Sequence, residues 1–259
     1  MVERILSVKS LSAWLKSDKS QILNDISFDL YAGDVLAIDG FNGSGKSTLL
    51  RLICGETSDY KAQGEVIYYP FSTENLLAFS EKQILAYRSS IGYVPQKDNY
   101  DGLNKVTIQD LIMDACKASG FDSSKAMTNF NDFFGNSKRI KLKSVPGKLS
   151  GGEQRMVSIF LGLACKTKSR LMIVDEPLNN LDFENAMRVS DMLNKIRLEN
   201  PSSGMILITH CKVITCVNRQ RRLVKGRMEK SDSKYECHHC MGEPNEKLYY
   251  FRHGNLDKN

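Results

Sequence analysis

Gly40-Phe41-Asn42-Gly43-Ser44-Gly45-Lys46-Ser47 satisfies the spacing G-x-x-x-x-G-K-S/T at every fixed position. That spacing builds a loop that surrounds phosphate. Its glycines let backbone N–H groups turn inward around an anion without Cβ clashes. Lys46 can reach the β- and γ-phosphates, and the Ser47 hydroxyl can ligate Mg²⁺. The flanks agree. Val35-Leu36-Ala37-Ile38-Asp39 reads as a buried strand, and Thr48-Leu49-Leu50-Arg51-Leu52-Ile53 as the helix that follows. Such a helix aims its unpaired N–H groups and the positive end of its dipole at the phosphates. This frame argues against a glycine-rich turn with a chance Lys-Ser.

A second motif lies about a hundred residues on, a spacing read directly from the chain. Leu149-Ser150-Gly151-Gly152-Glu153-Gln154 can start a helix, because Ser150 followed three residues later by Glu153 forms a capping box. The same residues resemble the signature sequence of ATP-binding cassette (ABC) ATPases. Leu171-Met172-Ile173-Val174-Asp175-Glu176 resembles the Walker B strand of that family, four apolar residues followed by two carboxylates. Tyr93-Val94-Pro95-Gln96 resembles its Q-loop, Asn180-Leu181-Asp182 its D-loop, and Ile206-Leu207-Ile208-Thr209-His210 its strand and switch histidine. The resemblance spans residues 3 to 230 with the motifs in order.

The family implies an α/β fold: a P-loop NTPase core with a mostly parallel sheet, an antiparallel β subdomain and a helical subdomain carrying the signature. The domain expected is 1–230, with the helical subdomain about 97–150 and a short appendage at 231–259. It implies ATP and Mg²⁺ as ligands. Its roles carry over position by position. Asn42, Gly43, Ser44, Gly45, Lys46, Ser47 and Thr48 would hold the nucleotide phosphates, while Ser47, Gln96 and Asp175 would stand at Mg²⁺. Glu176 would serve as general base or position the water, with Gln96 near it and His210 on the γ-phosphate. Ser150, Gly151 and Gly152 would meet the nucleotide held by a second subunit. The implied assembly is a head-to-tail dimer, homo- or heteromeric, with ATP at the interface. Phosphoryl transfer needs placement and charge neutralisation more than covalent chemistry, and these residue types supply both.

Bulk properties fit an ordinary globular chain. Hydrophobic residues make up 41% of the 259 positions and charged ones 25%. The longest apolar run, Met156 to Cys165, is half of the ~20 residues a membrane span needs. Met1-Val2-Glu3-Arg4 opens without a signal-peptide core. The 7 cysteines, scattered through a chain with a nucleotide loop, suit a reducing cytoplasm better than a disulfide framework. Any membrane permease would therefore be a separate polypeptide, with this chain bound at the cytoplasmic face, and no nucleic-acid partner is expected.

Periodicity predicts strands at 5–8, 26–30, 64–69, 91–94, 171–174 and 205–209. It predicts helices over 72–88, 107–119, 125–134, 151–166 and 183–199. Trp14, the only tryptophan, is the candidate for the aromatic residue that stacks on adenine in the family. A plain core or surface indole is the competing reading. Asn179-Asn180 stands where small residues are more usual before the D-loop Leu-Asp, and Ser158 to Ala164 lacks an arginine often found there. Cys237-His238-His239-Cys240 offers half of a zinc site, with Cys211, Cys216 or His253 as further ligands. Free thiols are the alternative reading. Residues 212–230 carry seven Lys/Arg against one Glu, the pattern of a solvated face or of a contact with an acidic partner. Two functions follow. One is the ATPase subunit of a membrane transporter. The other is a soluble ABC ATPase serving cofactor assembly, translation or DNA maintenance.

Overall fold

Strand β1 (Arg4–Leu15) buries Ile5, Leu6, Val8, Leu11 and Ala13, and β2 (Gln21–Tyr31) buries Leu23 and then, at alternate positions, Ile26, Phe28 and Leu30. The two pair antiparallel, and β4 (Tyr60–Tyr68) adds to the other edge of β1, giving the order β2-β1-β4. The computed structural model describes residues 2–97, 100, 102–166, 169–179, 181–209 and 219–230.

The second sheet is built on β3 (Val35–Asp39), β5 (Gly92–Val94), β6 (Leu171–Asp175), β7 (Gly204–Ile208), β8 (Arg219–Val224) and β9 (Arg227–Lys230). Its order is β5-β6-β7-β3-β8-β9, parallel except for β9. Every residue of β3, β6 and β7 is buried, as parallel strands covered on both faces require. Side chains alternate between the faces. Leu36, Ile38, Leu171, Ile173, Ile206 and Ile208 join the core under the antiparallel sheet and α1 (Lys46–Ile53). Val35, Met172, Val174, Met205 and Leu207 join the core under the helices on the other side.

Those helices are α3 (Ile108–Ser119), α4 (Ser123–Phe134), α5 (Gly151–Leu163) and α6 (Phe183–Glu199). Thr107 and Asp110 form a capping box at the start of α3, and Asp122 caps α4. The rings of Phe130, Phe134 and Phe160 meet at 5.0–5.6 Å between centroids and lock α4 to α5. No described helix is long and apolar enough to cross a membrane.

β1, β2 and β4 run longer than the strands expected at 5–8, 26–30 and 64–69, and three further expectations differ from the observed elements. The helix expected over 72–88 begins only at Glu81, as α2 (Glu81–Ser90). Upstream, Asn75 is committed to β4: its amide donates to Gly64 O at 2.9 Å and accepts from Val66 N at 3.0 Å. Ser80 and Gln83 then open α2 with their own capping box. The helix expected to reach Lys166 ends at Leu163 and tightens into a 3₁₀ turn, Ala164–Lys166. The basic stretch before Lys230 contains the hairpin β8–β9, joined by Lys225-Gly226 with φ of 44° and 78°. Two positive φ values make a two-residue turn whose twist suits a hairpin.

Candidate active site

β3 leads into the phosphate loop, and Gly45 sits in the left-handed region (φ 100°) as the N-cap of α1. A Cβ there would lie 2.8 Å from Leu23 and 3.1 Å from the Ile22 carbonyl, so the loop rests directly on β2. Lys46 is buried and its Nζ donates to the carbonyls of Gly40 (2.6 Å) and Phe41 (3.1 Å), which holds the ammonium inside the loop. Burial lowers the Lys46 pKa, and the nearby carboxylates of Glu176, Asp175 and Asp39 oppose that shift. Asn42, Gly43 and Ser47 are exposed on the loop, Thr48 is half-buried, and the buried Ser44 hydroxyl has no hydrogen-bond partner.

The strand ends face this loop in register. Ile208 of β7 pairs with Ile38 of β3 on one side and with Asp175 of β6 on the other. Burial, and then the charge of Glu176, push the Asp175 carboxyl up to about 6, against the pull of Arg155, Lys46 and Arg51. The next residue, Glu176, leaves the strand at φ 45°, with its N–H on the Ile208 carbonyl at 2.9 Å. Gln96, in the loop after β5, donates through Nε2 to Glu176 Oε2 at 2.7 Å. The structure therefore brings Lys46, Asp175, Glu176 and Gln96 to one end of the parallel sheet. His210 and Asn180 lie outside the described residues, as do Cys211, Cys216, the Cys237–Cys240 stretch and His253.

Ser150 is the N-cap of α5 and forms the expected capping box with Glu153, leaving Gly151 and Gly152 in the first turn. Trp14 is half-buried. It pairs with Gln21, the residue before the Ile22 against which Gly45 rests.

Two features went unread in the sequence. Arg155 is buried on α5 and donates to three main-chain carbonyls: Pro95 (2.5 Å), Asp175 (2.7 Å) and Pro177 (3.2 Å). Its signal is a lone arginine inside an otherwise apolar helix face. Gly226 donates to the Ser44 carbonyl at 3.3 Å and accepts from Asn24 N at 2.8 Å, so the β8–β9 turn braces the phosphate loop.

Comparison with known proteins places the chain. The ABC transporter family model matches residues 23–179. The chain belongs to that family. It is 31% identical over 215 residues to the lipoprotein-releasing system ATP-binding protein LolD of Psychrobacter arcticus, covering 81% of this chain and 90% of the relative. It shares 25% identity with CbiO1 of Clostridium perfringens, described as part of the ABC transporter complex CbiONQ, with a TM-score of 0.70 over 88% of this chain and 87% of that one. A dimeric ATP-binding cassette in a post-hydrolysis state with ADP and Pi shares its fold, with a TM-score of 0.71 at 21% identity over 87% of this chain and 98% of that one.

The family implies Mg²⁺, and the residues present fit it. Asp175 Oδ1 is buried without a hydrogen-bond partner, an acceptor suited to a hard cation, and the Ser47 hydroxyl is exposed on the first turn of α1. Among the described residues no cluster of three His, Cys, Asp or Glu forms a self-sufficient metal cage. Mg²⁺ needs none, since it keeps waters and shares its shell with substrate phosphates.

Proposed function

We propose that the chain hydrolyses ATP to ADP and phosphate as the ATP-binding subunit of an ABC transporter. The observation that carries this reading is the Gln96–Glu176 contact at the mouth of the phosphate loop that holds Lys46. Glu176 orients a water for attack on the γ-phosphorus and accepts its proton. The bond from that phosphorus to the β-γ bridging oxygen breaks, and ADP leaves. Lys46 and the loop N–H groups neutralise the developing charge, which is the larger part of catalysis in this reaction class. Mg²⁺, held by Asp175 and Ser47, would supply further charge neutralisation. Trp14 would receive the adenine and His210 the γ-phosphate.

The names of the relatives favour transport over a soluble role. LolD is described as the ATP-binding protein of a lipoprotein-releasing system, CbiO1 as part of an ABC transporter complex, and a cassette of the same fold as a dimer. By this reading the chain pairs head-to-tail with a second cassette, homo- or heteromeric. It works at the cytoplasmic face of a membrane, docked on a separate permease. The domain would be 1–230, with the helical part about 97–150 receiving the permease.

The deciding experiment is Glu176→Gln. ATP should still bind, steady-state turnover should nearly vanish, and an ATP-bound dimer should persist in gel filtration. Turnover near wild type would refute the role of Glu176. Recovery of only soluble assembly factors, ribosomes or DNA-bound proteins in pull-downs from native cells would refute the transport reading.

A further inference from the structure

We infer that Asn179 is a positioning residue for Glu176, which deepens the proposed role of that carboxylate and rests on it. Asn179 stands where smaller residues were expected, and the structure gives its amide a partner. Its Nδ2 donates to Glu176 Oε2 at 3.2 Å. Gln96 Nε2 donates to the same oxygen at 2.7 Å. Both donors therefore converge on Oε2, and no described residue donates to Oε1, which remains to accept from the attacking water. A carboxylate held by one oxygen keeps its plane and its rotamer, which is what a water-orienting group needs.

The two donors differ in how they are tied to Glu176. Gln96 reaches across from the exposed loop after β5, 80 residues away in the chain. Asn179 closes the turn that Glu176 itself begins. Its N–H donates to the Glu176 carbonyl at 3.2 Å, and its side chain repeats that closure on the carboxylate. Pro177 sits second in this turn, where its fixed φ favours the bend, and Arg155 holds the Pro177 carbonyl from beneath. Asn179 is thus rigidly connected to the group it orients, and it holds Glu176 whether or not Gln96 is in place. A serine or alanine at this position is too short to keep the contact.

Asn179→Asp tests the contact at constant volume, because it replaces the donor with a charged acceptor, and Asn179→Ala removes the group. Each should lower kcat about tenfold, leave KM for ATP within about twofold, and preserve ATP-dependent dimerisation and the thermal midpoint. In the Glu176→Gln background the residual single-turnover rate should be the same with and without Asn179→Ala, because the loss acts through the carboxylate. Wild-type kcat in both single variants, with Glu176→Gln inactive, overturns the inference and spares the base assignment. A raised KM at unchanged kcat, lost dimerisation, or a further tenfold loss in the double variant also overturns it. An active Glu176→Gln variant removes the base assignment and this inference together.

Discussion

The Arg155 guanidinium donates through Nη2 to the main-chain carbonyl of Asp175 at 2.7 Å. One side chain from the helix that begins at the signature thereby fixes the carboxylate end of β6. Two further bonds, to Pro95 and Pro177, fix the loop that carries Gln96 and the turn that carries Glu176. Signature helix, Q-loop and Walker B turn share one buried cation. These three carbonyls are turn and strand-end groups, and each would lose this donor if the cation were removed.

Arg155→Met is therefore expected to destabilise the protein by about 3 kcal/mol, mostly from carbonyls left without a donor. Arg155→Lys should recover part of the loss, since one ammonium cannot span three acceptors in the fixed plane that guanidinium offers. Urea midpoints with a common m-value measure both. A change below about 1 kcal/mol in Arg155→Met would mean the carbonyls find other donors.

Asp175 sets a pH dependence on the nucleotide-free protein. Its folded pKa, raised to about 6, lies above the ordinary aspartate value of 3.8. Between those values the folded chain holds a proton that the unfolded chain has released. This group's contribution to stability therefore falls as pH rises through that window, and its full penalty is present above pH 6. The wild type should gain stability relative to Asp175→Asn when the pH is lowered from 7 to 5. The same substitution should abolish Mg²⁺-dependent turnover. Parallel pH profiles of the two proteins in urea titrations would show that Asp175 is not the group responsible.

Gly226 links the β8–β9 hairpin to the phosphate loop. Its φ is 78°, and a Cβ there would fall 2.2 Å from the Ile22 carbonyl oxygen, the same oxygen that a Cβ at Gly45 would approach to 3.1 Å. Gly226→Val should displace Ile22 and weaken ATP binding about tenfold, about 1.4 kcal/mol, in addition to the roughly 1–2 kcal/mol of backbone strain that acts on stability. Titration with a fluorescent ATP analogue measures it. Unchanged affinity in a folded Gly226→Val protein would sever the hairpin from the site.

Much of this was legible because some residues can serve only one geometry. The loop around Lys46 needs its glycines where they stand, and buried strands such as Leu171–Asp175 are apolar throughout because both faces are covered. Asp175-Glu176 at the end of such a strand has few readings other than a charged site. The β8–β9 hairpin was hidden because basic residues mask the alternation that marks a strand, leaving Lys225-Gly226 as its only trace. Asn75 concealed the start of α2: its bonds to Gly64 and Val66 are tertiary, and no local pattern announces them. Arg155 escaped for the same reason, and Asn179, noted only as a departure from smaller residues, gave no sign of its contact with Glu176. Their partners are main-chain carbonyls and a carboxylate whose positions exist only once the turn after β6 has folded.

Ser150 caps α5, and substitution can separate that cap from its proposed role at the γ-phosphate of a partner cassette. As N-cap of α5 it accepts from Glu153 N at 3.4 Å, and its own N–H donates to Glu153 Oε2 at 2.8 Å. Ser150→Asp preserves a capping acceptor at the helix N-terminus, so stability should change by less than about 1 kcal/mol. The same carboxylate would repel the γ-phosphate held by a partner cassette. Turnover should therefore vanish while ATP binding by each monomer survives. Ser150→Arg should do likewise through bulk, with the added loss of the cap. Mixing Ser150→Asp with Lys46→Ala provides the geometric test. In a head-to-tail heterodimer one site combines an intact phosphate loop with an intact signature, so the mixture should regain at most about a quarter of wild-type turnover. Two inactive proteins that remain inactive on mixing, with no ATP-dependent association of the wild type, would mean that this signature completes no site on a second cassette.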